Sequence, residues 1–209
     1  GAQFRRFDHP HGVRLVAQPA RRFGPLLRPE RPWEGKGVSI STIIRDGDRY
    51  RGWGSCQAAD GSTRACYFES RDGLNWERPD LGLVEFEGSR ANNLLDCGVG
   101  FVFKDPSAPE AERYKWVAEG DISPADFEAY KARRPDAWEP KAERADVGRV
   151  FGVLGAVSPD GLRWTYLPEP LVVEHSDTQV IACYEETLGK YVLYTRTWMV
   201  GPRAPDAPD

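Results

Sequence analysis

The pattern Ser-x-Asp-Gly-Leu-x-Trp is written twice in this chain, at Ser70–Trp76 and at Ser158–Trp164, an offset of 88 residues. A repeat at that scale means an array of like units, and it limits the possible folds more than any other feature. In both copies an apolar run leads into Asp-Gly. Glycine accepts positive φ and aspartate bonds its own backbone, so each copy reads as a tight turn between strands. The leucine and tryptophan then pack back onto the sheet. Asp72 and Asp160 are therefore turn formers before they are anything else.

The flanking sequence supplies the strands. Val38–Arg45 alternates and is β-branched, Asp46-Gly47-Asp48 turns it, and Arg49–Gln57 returns with Tyr50 and Trp53. Arg64–Ser70 makes a third strand, and Trp76–Val84 a short fourth. A second unit opens at Asn92-Asn93, with strands at Gly100–Lys104, Tyr114–Glu119, Arg149–Val157 and Trp164–Val173. Residues 121–147 break its pattern. Ser123 as N-cap and Pro124 in the first turn predict a helix there, with Phe127 and Tyr130 on one apolar side. A third unit is half written: Val180–Tyr184, a turn at Glu185–Gly189, and Lys190–Trp198. The lead-in, Gly1–Pro32, is rich in Arg and Pro and offers one strand near Val13–Ala17.

Four-stranded antiparallel units in tandem predict an all-β fold of the β-propeller kind. Without 121–147 the repeat shortens to about 61 residues, long for a blade but within reason. Propellers have about 4–8 blades, and this chain carries two to three. Residues 1–209 thus read as a single, incomplete propeller domain with a helical insertion. Its open edge at Lys190–Trp198 calls for self-association or for further chain to cover it.

Composition closes off several classes. A net charge of −4 with 28 scattered Lys and Arg argues against nucleic acid. No apolar run approaches the ~18 residues of a membrane helix. No signal peptide is visible in Gly1–Pro10; the compartment stays open, with a lean toward export. Cys56, Cys66, Cys97 and Cys183 form no Cys-x-x-Cys pair, so no metal site is expected. Cys56 and Cys66 flank one hairpin, as a disulfide or as two free thiols. No cofactor is implied. Seven Trp and eight Tyr suit strands and also sugar-binding surfaces.

The run Tyr67–Phe86, followed by Gly88-Ser89 and Asn92-Asn93, resembles bacterial glycoside-hydrolase-like five-bladed propellers. These are related to the clan of glycoside hydrolase families 32, 43 and 68. Phe103-Lys104-Asp105-Pro106 with Glu112–Lys115, and Asp177-Thr178-Gln179 with Gly189–Tyr194, resemble the same group. The likeness runs from about Arg31 to Trp198 and implies fold better than substrate. Sialidase-type propellers are set apart, because their Asp-box has one more residue between Asp and Gly.

The resemblance implies acidic residues at the starts of the innermost strands, facing a central pocket. Glycoside hydrolysis needs two carboxyl groups across the scissile bond, one donating a proton and one acting as base or nucleophile. Asp177 and Glu34 are the catalytic candidates. Asp177 otherwise caps a strand end, and Glu34 otherwise sits in a surface turn. Trp33 offers a sugar platform. Asn92 and Asn93 offer amide hydrogen bonds to sugar hydroxyls or cap a turn, Gln179 is a further substrate-binding candidate, and Arg196 suits an acidic sugar or pairs with a neighbour. Asp105 resembles the Arg-Asp-Pro element of family 32, with Lys104 in place of the Arg; it otherwise forms an Asp-Pro turn. Asp177, Asn93 and Glu34 are expected to converge on one cleft. The leading expectation is a glycoside hydrolase acting on a carbohydrate. The alternative is a non-catalytic module that binds sugar or another protein.

Overall fold

Period-2 alternation closed by glycine turns produces three successive antiparallel sheets, and a computed structural model describes residues 16–19, 24–135, 138, 142–144 and 148–196 of them and their connections. The first sheet is a meander of β1 (Gly37–Asp46), β2 (Arg49–Gln57) and β3 (Thr63–Ser70). Gly47 turns the first hairpin at φ 67. The register of β1 on β2 passes from Ile40↔Gly54 to Thr42↔Trp53, which leaves Ser41 as an extra residue, a β-bulge. The bulge switches faces along the strand. Val38 and Ile40 pack with Phe68 and Trp76, while Ile44 packs with Trp53 and Tyr67. Gly54 permits the close approach, since a Cβ there would meet the Ser39 carbonyl oxygen at 1.8 Å.

The fourth strand expected over Trp76–Val84 does not form. Glu77 alone bridges to Glu69, and Pro79, which has no N–H, cannot continue the ladder. The outer edge of β3 is paired instead by residues 93–95. Tyr67 N donates to the Asn93 carbonyl at 2.9 Å and Leu95 N to Ala65 O at 3.0 Å.

The second sheet holds β4 (Phe101–Lys104), β5 (Tyr114–Ile122), β6 (Glu143–Arg144), β7 (Arg149–Ser158) and β8 (Thr165–Tyr166), ordered β4-β5-β7-β6 with β8 also on β7. The helix, α1 (Pro124–Arg133), starts where expected: Ser123 Oγ accepts from Asp126 N at 3.1 Å. Phe127 and Tyr130 anchor it against Ile122, Val150 and Val173. The insertion is narrower than 121–147, because Asp121 and Ile122 finish β5 and Glu143–Arg144 pairs with β7. The strand expected over Trp164–Val173 reduces to β8 and two bridges, Val172 to Val153 and Val173 to Trp138.

The third sheet is β9 (Ile181–Glu185) and β10 (Lys190–Tyr194). The last strand stops at Tyr194, short of the expected Trp198, which lies outside the described residues. Residues 16 and 17 are not in a strand, and the rest of the expected strand near Val13 lies outside the described residues.

The first strands of the three sheets are neighbours in the order β1, β4, β9. Val102 N donates to Thr42 Oγ1 at 3.3 Å, and Val180 and Ala182 pack against Phe101 and Phe103. No sheet closes on itself among the described residues. At the ends of these strands, polar side chains join sheet to sheet. Tyr114, from the second sheet, donates to Asp46, from the first. Arg51, 9% exposed, donates to the hydroxyls of Tyr67 and Tyr114 at 2.6 Å each. Lys104 Nζ reaches Asp46 at 2.5 Å.

Candidate functional site

The starts of β4 and β9 meet β5 and the β1 bulge around a cleft of about 330 Å³. Ser41, Phe101, Glu119, Thr178 and Gln179 line it. Each wall has a local cause. Ser41 is the bulge residue. Thr178 and Gln179 follow a tight turn in which Thr178 N donates to Ser176 O at 2.8 Å. Ser176 is fully buried, and its Oγ accepts from Arg196 N at 3.1 Å, so the turn is tied to the end of β10.

Two polar pairs adjoin this wall. His175 Nδ1 lies 2.6 Å from Glu119 Oε1. The ring of His175 also stacks on Phe151, with centroids 4.6 Å apart. Asp177 accepts from Arg196, and both side chains are about two-fifths exposed. Glu119, Gln179, Thr178 and Ser41 therefore line one small space together with Phe101. Such a set suits a compact, hydroxyl-rich ligand that also has an apolar face.

The sequence candidates divide between two places. Gln179 lines the cleft, and Asp177 and Arg196 stand beside it. Glu34, Asn92, Asn93 and Trp33 lie elsewhere, in the packing of the first sheet. Glu34 is fully buried: Arg78 Nε donates to its Oε1 at 2.7 Å and Glu30 N to its Oε2 at 2.9 Å. Asn93, also fully buried, accepts from Trp33 Nε1 at 2.8 Å and donates to Tyr67 O at 2.8 Å. Asn92 donates to Val84 O at 2.8 Å and accepts from Leu94 N at 3.0 Å. Trp33 packs edge-on against Phe86. The convergence expected for Asp177, Asn93 and Glu34 does not occur. Asn93 runs along β3, at the far edge of the first sheet from β1, whereas Asp177 leads into β9.

Asp105 directly follows β4, at the opposite end of the strand from the cleft. It accepts from Ser107 N at 2.9 Å and from the Tyr191 hydroxyl at 2.8 Å. It makes the Asp-Pro turn and ties the third sheet to the second. Sequence reading missed Glu119 and Ser41. Glu119 sits mid-strand with no motif around it, and a bulge leaves no local mark beyond the Gly54 that accommodates it.

Cys56 and Cys66 are buried free thiols in the core of the first sheet. The neighbouring Cys56 thiol and burial together hold the Cys66 thiol well above the ordinary range.

The fold and the cleft define a mostly β protein of three antiparallel sheets with one helix. No family model, no curated protein and no solved structure matches the chain.

Proposed function

We propose that this chain is a carbohydrate-binding protein of the β-propeller kind, with its sugar site in the cleft at the starts of β4 and β9. The three sheets would be successive blades, and β1, β4 and β9 their innermost strands. The observation that carries the reading is the lining of the cleft. Glu119, Gln179, Thr178 and Ser41 offer hydroxyl partners and Phe101 offers an apolar face. The resemblance of Tyr67–Phe86 and Asp177–Gln179 to glycoside-hydrolase-like propellers supports the same ligand class. At about 330 Å³ the cleft lies at the small end of the ~300–1,000 Å³ usual for ligand pockets, which suits a monosaccharide or a chain end.

Binding is favoured over hydrolysis because the candidate acid pair does not assemble. Glu34 is sealed in an ion pair with Arg78, out of reach of any substrate. Glycoside hydrolysis remains the second reading, with Asp177 and Glu119 as its carboxyl groups, because Glu119 lines this cleft and Asp177 directly precedes Thr178 in its wall.

A panel of free glycans titrated calorimetrically tests the site. Gln179→Ala removes one amide contact and should weaken the preferred glycan about fivefold. A panel of aryl glycosides (arabinofuranosides, xylosides, fructosides, galactosides) tests turnover, which Asp177→Asn should abolish if hydrolysis occurs. A chain that binds no glycan at millimolar concentration and turns over none of these substrates defeats both readings.

A further inference from the structure

The two sheet-to-sheet contacts follow one plan, and among the described residues one of them lacks a part. Register makes the correspondence explicit. Tyr50 pairs with Ser70 and Tyr114 with Ser158, so Arg51 corresponds to Lys115 and Trp53 to Val117. By the same register Tyr67 and Glu69 correspond to Gly155 and Val157.

In the first contact a tyrosine of the following sheet, Tyr114, donates to the acid that ends the preceding first strand, Asp46. Arg51 lies over the Tyr114 ring at 4.8 Å. The second contact repeats both features. Tyr191 donates to Asp105 at 2.8 Å, and Lys115 Nζ lies over the Tyr191 ring at 5.2 Å.

The first contact has a third feature. The Asp160-Gly161 turn, which follows the third strand of its own sheet, docks on the first sheet. Arg51 donates to Asp160 O at 2.5 Å and Trp53 Nε1 to Gly161 O at 2.7 Å. The corresponding positions of the second sheet, Lys115, Val117, Gly155 and Val157, line an open, mainly apolar cleft of about 420 Å³. Its far wall is β10, through Tyr191 and Leu193. Among the described residues only β9 pairs with β10, and Tyr191 and Tyr194 are 53% and 61% exposed.

The geometry points to this cleft as a docking site for an extended peptide strand that adds to the free edge of β10 and ends in the Ser-x-Asp-Gly-Leu-x-Trp turn, its Asp and Gly carbonyls facing Lys115 and the Val117 face. The occupant is a polypeptide segment of the chain's own repeat type, presented from outside the three sheets. Main-chain pairing along β10 supplies affinity, and the turn supplies register. The lysine is the complementary donor for turn carbonyls, as Arg51 is in the filled contact. This inference is independent of what the sugar cleft binds.

A synthetic peptide spanning Arg149–Trp164, added to the full chain, tests it. Saturable binding is expected by fluorescence anisotropy, with slowed hydrogen exchange at the amides of Tyr191–Tyr194. Lys115→Ala should weaken binding about tenfold, the scale of losing one charged hydrogen bond. Val157→Asp, which sets a charge in the cleft wall, should weaken it further. Circular dichroism checks that both variants keep the sheet signal. A peptide with the same composition in scrambled order should not bind. Absence of saturable binding at millimolar peptide overturns the inference, as does binding that leaves the β10 amides unprotected. Amides of β10 already protected in the monomeric chain also overturn it. Concentration-dependent dimerisation that protects those amides, read by light scattering, overturns the choice of occupant in favour of a second copy.

Discussion

The two copies of the Asp-Gly turn are built alike and used differently. In both, the serine hydroxyl accepts from the glycine N–H, at 2.9 Å for Gly73 and 2.8 Å for Gly161. In both, the aspartate accepts from the next two backbone N–H groups, at 2.8 and 2.7 Å in the first copy and at 2.8 and 2.9 Å in the second. Both glycines take positive φ, 74 and 73. The surroundings then diverge. The first copy leaves its turn in solvent, with Leu74 49% exposed, and buries Trp76 in the core of its own sheet. The second copy presses its turn against Trp53 and Arg51, and Trp164 is only half-buried at the rim of that contact. Seven residues specify a turn. What the turn packs against is decided by the sheet next door.

The tryptophans should show the largest contrast. Trp76→Ala opens a cavity beside Phe68 and Leu94 and should cost about 3–5 kcal/mol. Trp164→Ala removes a half-buried ring, so its cost should be nearer 1–3 kcal/mol. Denaturant unfolding of both variants measures the difference. Equal losses would mean that the two rings do equivalent structural work.

The glycines isolate the neighbour from the turn itself. Gly73→Ala and Gly161→Ala carry the same backbone strain, about 1 kcal/mol, because both φ values are positive. At Gly73 the nearest atom to a new Cβ is on Tyr50, 3.7 Å away. At Gly161 it is Trp53 Cζ2 at 2.8 Å, with Tyr114 at 3.2 Å. Gly161→Ala should therefore lose a further 1–3 kcal/mol, roughly, from overpacking. If the two variants melt together, the second turn is not held against the first sheet.

The smallest effect is in acid. Hydrogen bonds from Lys104 and Tyr114 hold Asp46 down to about 2, against about 3.9 for an unfolded aspartate. A depressed carboxyl stabilises the fold above its unfolded value, and that contribution fades as pH drops from about 4 to about 2. Asp46→Asn should lower stability at pH 7 and flatten the pH dependence in that window. An unchanged acid limb would show that the contact between the first and second sheets is not tied through Asp46.

Much of the architecture was legible because it is local. Alternation marked β1, β2, β3, β5 and β7 to within a few residues, and Ser123-Pro124 marked the helix start. The misses are long-range. Nothing near Glu34 announces Arg78, 44 residues away, as its partner, and a Trp-Glu pair in a Pro/Gly turn looks like surface until that ion pair is seen. Asn92 and Asn93 look like strand-start ligands, but their amides stitch residues 92–95 onto β3 and the chain beside it. Glu119 was invisible because a single acid in the middle of a strand carries no pattern. Asp177 and Gln179 can be singled out in the sequence because polar residues gather there where an apolar strand is about to begin.

The bulge at Ser41 has a consequence for how this lineage can vary. Because one extra residue sits there, β1 serves two cores: Val38 and Ile40 on one side of the sheet, Ile44 on the other. Deleting Ser41 would leave Ile40 opposite Gly54, Thr42 opposite Trp53 and Ile44 opposite Arg51, so both cores would keep their side chains and only the Ser41 side chain would leave the cleft beside Phe101. Position 54 is locked to glycine by the same geometry. Substitutions elsewhere in the strand can accumulate singly. One residue can be lost at the bulge without moving either core, whereas a second loss would put the strand out of phase with β2, so the length of this segment should vary by a single step and no more.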